Sequence, residues 1–340
     1  MDPLATRRLG RTDVHLSQLG FGGAGLGDLF TVVPEEDAAA TLAAAWESGI
    51  RYYDTAPWYG RGQSEHRFGR ALYRHARADY VLSTKVGRTL HPFHHAEKFP
   101  GGFWSGGLPF RHRFDYSYDG VMRSFEDSLQ RLGLPRIDLL LIHDLDLAHH
   151  QRIERVNAYL TELHNGGVRA LMELKQAGLI GGFGAGINEM GMIPRLLDLM
   201  ELDFFLVALP YTLLDTDVLD SEFPRCAAQG VGFVIGATFA SGILATGAVQ
   251  GTKYRYADPT PEIVAKVRRI EAVCERHGVP LPAAALQFPL GHPSVASVIP
   301  GAITAEQVRR NVASFRHPIP ADLWAELKHE GLLRADAPTP

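Results

Sequence analysis

The chain is poor in cysteine: of 340 residues only Cys226 and Cys274 carry a thiol, far apart and without metal-type spacing. That scarcity excludes a disulfide scaffold and fits a reducing compartment, so a cytoplasmic location is expected. A basic excess is also lacking, with 34 Lys and Arg against 38 Asp and Glu and a formal net charge of −4. Nucleic acid is therefore not an expected partner, because binding a phosphate backbone needs clustered cationic charge. Short groups such as Arg7-Arg8 and Arg309-Arg310 belong to solvated faces. The N-terminus has no apolar signal core. The longest apolar runs, such as DFFLVALPYTLL, fall short of the ~20 residues of a membrane helix. No low-complexity linker divides the chain.

What is present is an ordinary globular composition, 46% hydrophobic and 21% charged. Short apolar runs alternate with amphipathic segments throughout. Candidate strands are SQLGFGG, IRYYDTA, YVLSTKVG, IDLLLIHD, IGGFGAGIN, DFFLVAL, GVGFVIGAT and SVASVIPG. Their continuous apolar character suits strands covered on both faces. Between them, Asp119 to Leu132 places Val121, Met122, Phe125, Leu129 and Leu132 on one helical stripe. Another helix is expected to begin at Pro34 and end near Gly49. Eight strand–helix repeats predict an α/β fold: one (β/α)8 TIM barrel over residues 1–340. A Gly- and Pro-rich stretch within 88–118 reads as a long loop at the C-terminal mouth, a common place for binding loops.

Gly20, Gly22 and Gly25 have the spacing G-x-G-x-x-G, which in a Rossmann turn opens a helix against a pyrophosphate. Here the next helical residue is Pro34, too distant for that turn. The glycines instead predict a loop after the first barrel strand, where a ligand can approach the backbone.

Three successive strand ends carry the chemistry. YYDTAPWYG supplies Asp54 and Tyr59, STKVG supplies Lys85, and LLLIHD supplies His143. In a parallel barrel all four emerge at the same mouth. Singly, each has an ordinary explanation as a cap, an ion pair, a packed ring or a core histidine. Together they suit proton transfer coupled to hydride transfer. A Lys85 ammonium steadied by Asp54 is expected to lower the Tyr59 phenol, and His143 to orient a substrate oxygen.

DTAPWYG, STKVG and IHD, in this order, resemble the aldo-keto reductase family. RRLGRTDVHLSQLGFGG looks like that family's N-terminal β-hairpin and first strand, and VIPGAITAEQVRRN extends the likeness to the C-terminal region. The resemblance implies a barrel that binds an extended nicotinamide nucleotide without a Rossmann domain. Tyr59 would be the proton carrier, with Asp54, Lys85 and His143 supporting it.

Carried over by position, the same resemblance implies cofactor contacts at Gly22, Gly23, Asp54, Asn188, Ser241, Gly242, Leu244, Gly301, Gln307 and Asn311. Asn188 would hold the nicotinamide carboxamide. The chain departs from the pattern at Ile187, Ala208 and Gly236, where relatives carry a serine, a glutamine and a stacking aromatic; Phe239 is a substitute candidate for the last. Gly301 and Gln307 fall where relatives specific for NADP place a lysine and an arginine. Lacking those partners for the 2′-phosphate, the chain is expected to prefer NAD over NADP.

GGLPF, FDYSYDGVMRSFEDSLQRLGL and LLIHD look most like the NAD-linked aldose dehydrogenases and pyridoxal dehydrogenases of the family. The expected substrate is a small molecule, a sugar or a pyridoxal-like compound. The first expectation is oxidation of an aldose at its anomeric carbon to a lactone, and the second is a pyridoxal dehydrogenase. A nucleotide-sensing barrel with little turnover is the alternative of another class. Trp58, Phe103, Trp104 and Phe110 are candidates for the substrate wall. His91, His94, His95 and His112 form no convincing zinc set, and no metal is expected.

Overall fold

All eight continuous apolar runs form strands in the computed structural model, which describes residues 1–94 and 102–340. An antiparallel hairpin, β1 (Thr6–Arg8) with β2 (His15–Ser17), comes first. The barrel strands are β3 (Phe21–Gly22), β4 (Tyr52–Asp54), β5 (Val81–Val86), β8 (Leu139–His143), β9 (Gly182–Ile187), β10 (Phe204–Ala208), β11 (Gly232–Gly236) and β12 (Val295–Ile299). They pair in parallel and in sequence order as one eight-stranded sheet. Gly20 N donates to Val298 O at 2.9 Å and Gly22 N to Pro300 O at 3.1 Å, which closes the sheet on itself. The fold is a (β/α)8 TIM barrel.

Two apolar layers follow from the strand pleat. Tyr52, Leu139, Leu141, Phe204, Leu206, Val234 and Ile299 fill the barrel interior together with Leu9 and Leu16 of the hairpin. The hairpin thus plugs the N-terminal end. Gly10, with φ +52°, allows this close fit, since a Cβ there would lie 2.4 Å from Asp203 O. The opposite strand faces pack against the helices. The helix at Tyr118–Leu132 buries Val121, Phe125 and Leu132; Ser117 accepts a bond from Gly120 N at its start, and Gly133 ends it with φ 62°. Pro34 stands just outside its helix as the cap of Glu35–Glu47.

The stretch read as one long loop differs from expectation. β6 (Arg88–Pro92) and β7 (Phe110–Phe114) form an antiparallel ladder that runs from Arg88 opposite Phe114 to Pro92 opposite Phe110. Phe110, His112 and Phe114 are half-buried while Arg111 and Arg113 are exposed, the period-two pattern of a strand with one covered face. Among the described residues no helix is long and apolar enough to cross a membrane.

Candidate active site

The C-terminal ends of β4, β5 and β8 deliver Asp54, Lys85 and His143 to one place. Asp54 and Lys85 are each 1% exposed. Lys85 Nζ donates to Asp54 Oδ1 at 2.9 Å, to Asp54 Oδ2 at 2.7 Å and to Thr55 O at 2.8 Å. Ser83 Oγ donates a further bond to Asp54 Oδ1 at 2.7 Å. Burial pushes the Asp54 carboxyl up from its ordinary value, and Lys85 and Ser83 pull it back. A charge buried this deeply stays in place only when paired and hydrogen-bonded.

Tyr59 lies on the turn after β4, with its ring centroid 4.8 Å from Lys85 Nζ. The His143 ring stands 5.8 Å away at 84°, and the Trp104 ring 5.8 Å away on another side. All four expected residues therefore meet at one mouth. The acidified phenol does not: burial pushes the Tyr59 hydroxyl well above its ordinary value, and the Asp54 and Asp144 charges add to the rise. Burial and the two carboxylates thus outweigh the Lys85 charge, whose hydrogen bonds go to Asp54 and Thr55.

His143 is buried too, and burial holds its imidazole well below the usual histidine value despite the Asp144 charge. Its backbone carbonyl accepts from Tyr116 OH at 2.7 Å. Asp144, the next residue, sits in the left-handed region with φ +50°. For a non-glycine residue such a conformation costs roughly 1–3 kcal/mol and persists only where its surroundings fix it.

The glycine-rich loop acts differently from expectation. Gly27 packs against the Tyr59 turn, where a Cβ would fall 2.5 Å from Gly60 N and from the Tyr59 carbonyl carbon. Gly60 itself needs φ +62°. Neither glycine is part of the G-x-G-x-x-G spacing, yet these two set the backbone that carries the phenol. Gly23 is a packing glycine: its N–H donates to Asp54 O at 2.8 Å, and a Cβ would strike Ser64 and Phe68. Gly22 is half-buried on β3 beside Gly301 at the barrel seam.

Several other expected cofactor contacts surround the mouth. Asn188 follows β9 and is half-buried, donating from Nδ2 to Asp144 Oδ1 at 3.0 Å. After β11, Ala240, Ser241 and Gly242 are consecutive left-handed residues, φ 47°, 66° and 117°. The turn is closed by its own hydrogen bonds, Ala240 N donating to Ala237 O and Gly242 N to Phe239 O, each at 2.8 Å. Leu244, by contrast, is fully buried in the core, and its N–H donates to Phe239 O at 3.1 Å. Gln307 is engaged in the helix cap: its N–H donates to Thr304 Oγ1 at 3.2 Å and its Oε1 accepts from Ile303 N at 2.8 Å. Asn311 Nδ2 reaches Gly301 O at 3.4 Å. Gly301 is exposed, and a Cβ there would meet only Gly22 O at 3.5 Å. Phe239 is half-buried and packs against the strand–helix core. The groups that fit an extended nicotinamide nucleotide are the open glycine backbone at the seam and the amide after β9.

The residues expected to form the substrate wall are aromatic and meet one another. Trp58 and Trp104 meet edge to face at 5.7 Å, and Phe103 joins Trp104 at 5.3 Å and Tyr256 at 6.2 Å. Phe110 is half-buried at the outer end of the β6–β7 ladder, opposite Pro92. His112 contacts the Trp58 ring at 4.4 Å; burial depresses its imidazole to about 4. His91 bonds Thr89 Oγ1 through Nε2 at 3.0 Å, and His95 lies outside the described residues. Asp144, Asp146 and His149 bring possible ligand atoms within 4.8 Å of one another. Arg88 already pairs with Asp144 at 2.8 Å, and His149 Nδ1 bonds Asp146 Oδ1 at 2.7 Å. Those cationic neighbours work against a metal ion there.

Fold and site together are those of a barrel oxidoreductase. The chain belongs to the aldo/keto reductase family, whose family model matches residues 18–330. It is 46% identical over 338 residues to pyridoxal 4-dehydrogenase of Microbacterium luteolum, covering 96% of this chain and 97% of that one. It is 37% identical to D-threo-aldose 1-dehydrogenase of a Pseudomonas species, covering 95% of each. Among solved structures it resembles the holo form of an aldo-keto reductase from Bacillus halodurans, with 26% identity, a TM-score of 0.72 and 98% of each chain covered. The family's dehydrogenases use nicotinamide cofactors.

Proposed function

We propose that the protein is an NAD-linked dehydrogenase that oxidises the hemiacetal carbon of a small cyclic substrate to a lactone. The observation that carries this reading is the placement of Tyr59 beside the Lys85 ammonium, the His143 imidazole and the Trp104 ring. Pyridoxal and aldoses share the relevant chemistry: each aldehyde closes on a hydroxyl of its own molecule to give a ring with one C–H and one O–H on the reacting carbon. Loss of that hydrogen as hydride, with the hydroxyl proton leaving to a base, gives the lactone.

When bound, oxidised nicotinamide supplies the hydride acceptor and brings a positive charge to the mouth. Tyr59, its own proton having first been lost to solvent, takes the hydroxyl proton onto its phenolate oxygen. Burial disfavours the phenolate, so the neighbouring cations decide when that base form appears. Lys85 contributes as a fixed charge held by Asp54. His143, neutral and buried, orients the substrate oxygen. In the opposite direction the same phenol donates its proton to a carbonyl oxygen.

Pyridoxal ranks ahead of an aldose, reversing the order that the sequence suggested. The 46% identity to a pyridoxal dehydrogenase supports it, and so does a mouth walled by Trp58, Phe103 and Trp104, whose faces suit a flat heteroaromatic ring. Asn188, Ser241, Gly242, Gly301 and Asn311 hold the nucleotide in this reading. Preference for NAD rests on Gly301 and on Gln307, whose side chain is engaged in the helix cap. The test is formation of reduced nicotinamide with pyridoxal, a panel of aldoses and simple alcohols, using NAD and NADP in parallel. Turnover of pyridoxal or an aldose with NAD supports the reading. Cofactor binding without turnover of any candidate favours the sensing alternative.

A further inference from the structure

Arg88 stands at the start of β6, 3% exposed, and lies outside the tetrad. Its Nη2 pairs with Asp144 Oδ2 at 2.8 Å, while Nε and Nη1 are buried without hydrogen-bond partners. Its Cζ lies 4.6 Å from the Trp58 ring centre and 4.7 Å from that of Phe114, so aromatic faces take the place of acceptors. Asp144 is crowded with donors. Oδ2 also has His143 Nε2 and His149 Nε2 at 3.4 Å, and Oδ1 accepts from Asn188 Nδ2 at 3.0 Å.

We propose that the Arg88–Asp144 pair is a positioning device that orients two functional side chains at once, the ring of His143 and the amide of Asn188. The carboxylate is surrounded by four protein groups, so it does not serve as a substrate contact. Its effect passes through its partners. The negative oxygen beside His143 Nε2 favours the tautomer protonated there, which leaves the lone pair on Nδ1, a buried atom with no partner. By accepting from Asn188 Nδ2, the other oxygen directs Asn188 Oδ1 outward as an acceptor for a carboxamide N–H. Arg88 keeps the carboxylate charged and fixes it in the left-handed conformation of Asp144. A strand-end residue that hydrogen-bonds in two directions thereby links the β8 end to the β9 end.

This inference rests on the function proposed above for the roles of His143 and Asn188. Its test uses Asp144→Asn, which keeps shape and removes charge, with wild type and Tyr59→Phe alongside. Side-chain nitrogen-15 shifts of His143 in the protein without cofactor report the tautomer directly. Fluorescence quenching reports NAD affinity, and steady-state kinetics separate kcat from KM. The expected result for Asp144→Asn is loss of the single Nε2-protonated form, weaker NAD binding, and a kcat lower by about 10²-fold with a smaller change in substrate KM. Should that variant fail to fold, Arg88→Lys retains the charge without the planar fork and carries the same readouts. A folded variant with the wild-type histidine spectrum and wild-type NAD affinity overturns the inference. If wild type itself transfers no hydride, the proposed function fails, and the spectrum and NAD affinity still decide this question.

Discussion

Lys85 approaches the Tyr59 ring to 4.8 Å yet directs its N–H bonds to Asp54 and Thr55. The ammonium thus acts on the phenol as a held charge rather than as a hydrogen-bond donor. Burial opposes it, and the Asp54 and Asp144 charges add to the rise of the phenol above its ordinary value. In the proposed reaction the base form of Tyr59 would therefore depend on the charge that the nucleotide brings.

Removing only the reacting oxygen isolates that role. Tyr59→Phe is expected to lower turnover by about 10²–10⁴-fold while keeping NAD affinity and the thermal midpoint near wild type. Steady-state kinetics with calorimetric NAD binding check this.

The buried pair beneath the phenol carries a different signature. Lys85→Met leaves the Asp54 carboxylate unpaired and is expected to cost about 3–5 kcal/mol of folding stability. Lys85→Met combined with Asp54→Asn removes both charges and recovers much of that stability without recovering turnover. Denaturant melts of the single and double variants separate the two effects.

Acid should destabilise the fold through its buried histidines. The imidazoles of His112 and His150 are held at about 4 and that of His143 well below its ordinary value, all chiefly by burial. A depressed pKa means that the unfolded chain binds more protons once the pH drops below ~6.5. Stability is therefore full above ~6.5 and is lost as pH falls toward 4. Each such histidine contributes a slope of about 1.4 kcal/mol per pH unit. His149 is shifted upward and gives the opposite sign, losing its contribution as pH rises through its own value. Denaturant titrations between neutral and acid pH test the predicted net fall; a flat profile contradicts it.

At the barrel seam, Gly301→Lys is expected to shift cofactor preference. The position is exposed and has room for a side chain, and a cation there gains charge-assisted bonds to a 2′-phosphate. The ratio of kcat/KM for NADP to that for NAD should rise by about tenfold or more, equivalent to ~1.4 kcal/mol. Gln307→Arg is a poorer choice, because it breaks the cap that Gln307 makes with Ile303.

Much of the fold was legible because its strands are covered on both faces and read as unbroken apolar runs. The tetrad was legible because strand order alone brings the ends of β4, β5 and β8 to one mouth. The β6–β7 ladder was missed although Phe110, His112 and Phe114 alternate with Arg111 and Arg113; its neighbouring glycines and prolines masked the period. The raised Tyr59 phenol was also hidden, because it depends on burial and on the nearby Asp54 and Asp144 charges. Arg88 and Asp144 gave no signal of their own: one follows a strand, the other follows the expected histidine, and only the three-dimensional structure pairs them. Gly27 was inconspicuous because its contact is with Gly60, distant in sequence.

Deuterium placed on the reacting carbon tests the central claim most directly. With aldoses labelled at the anomeric carbon, or pyridoxal labelled at its aldehyde carbon, the account predicts deuterium in the reduced nicotinamide ring and lactone free of label at that carbon. Tyr59→Phe should give almost none of either product. Turnover that leaves the deuterium on the substrate, or proceeds equally well in Tyr59→Phe, would contradict it.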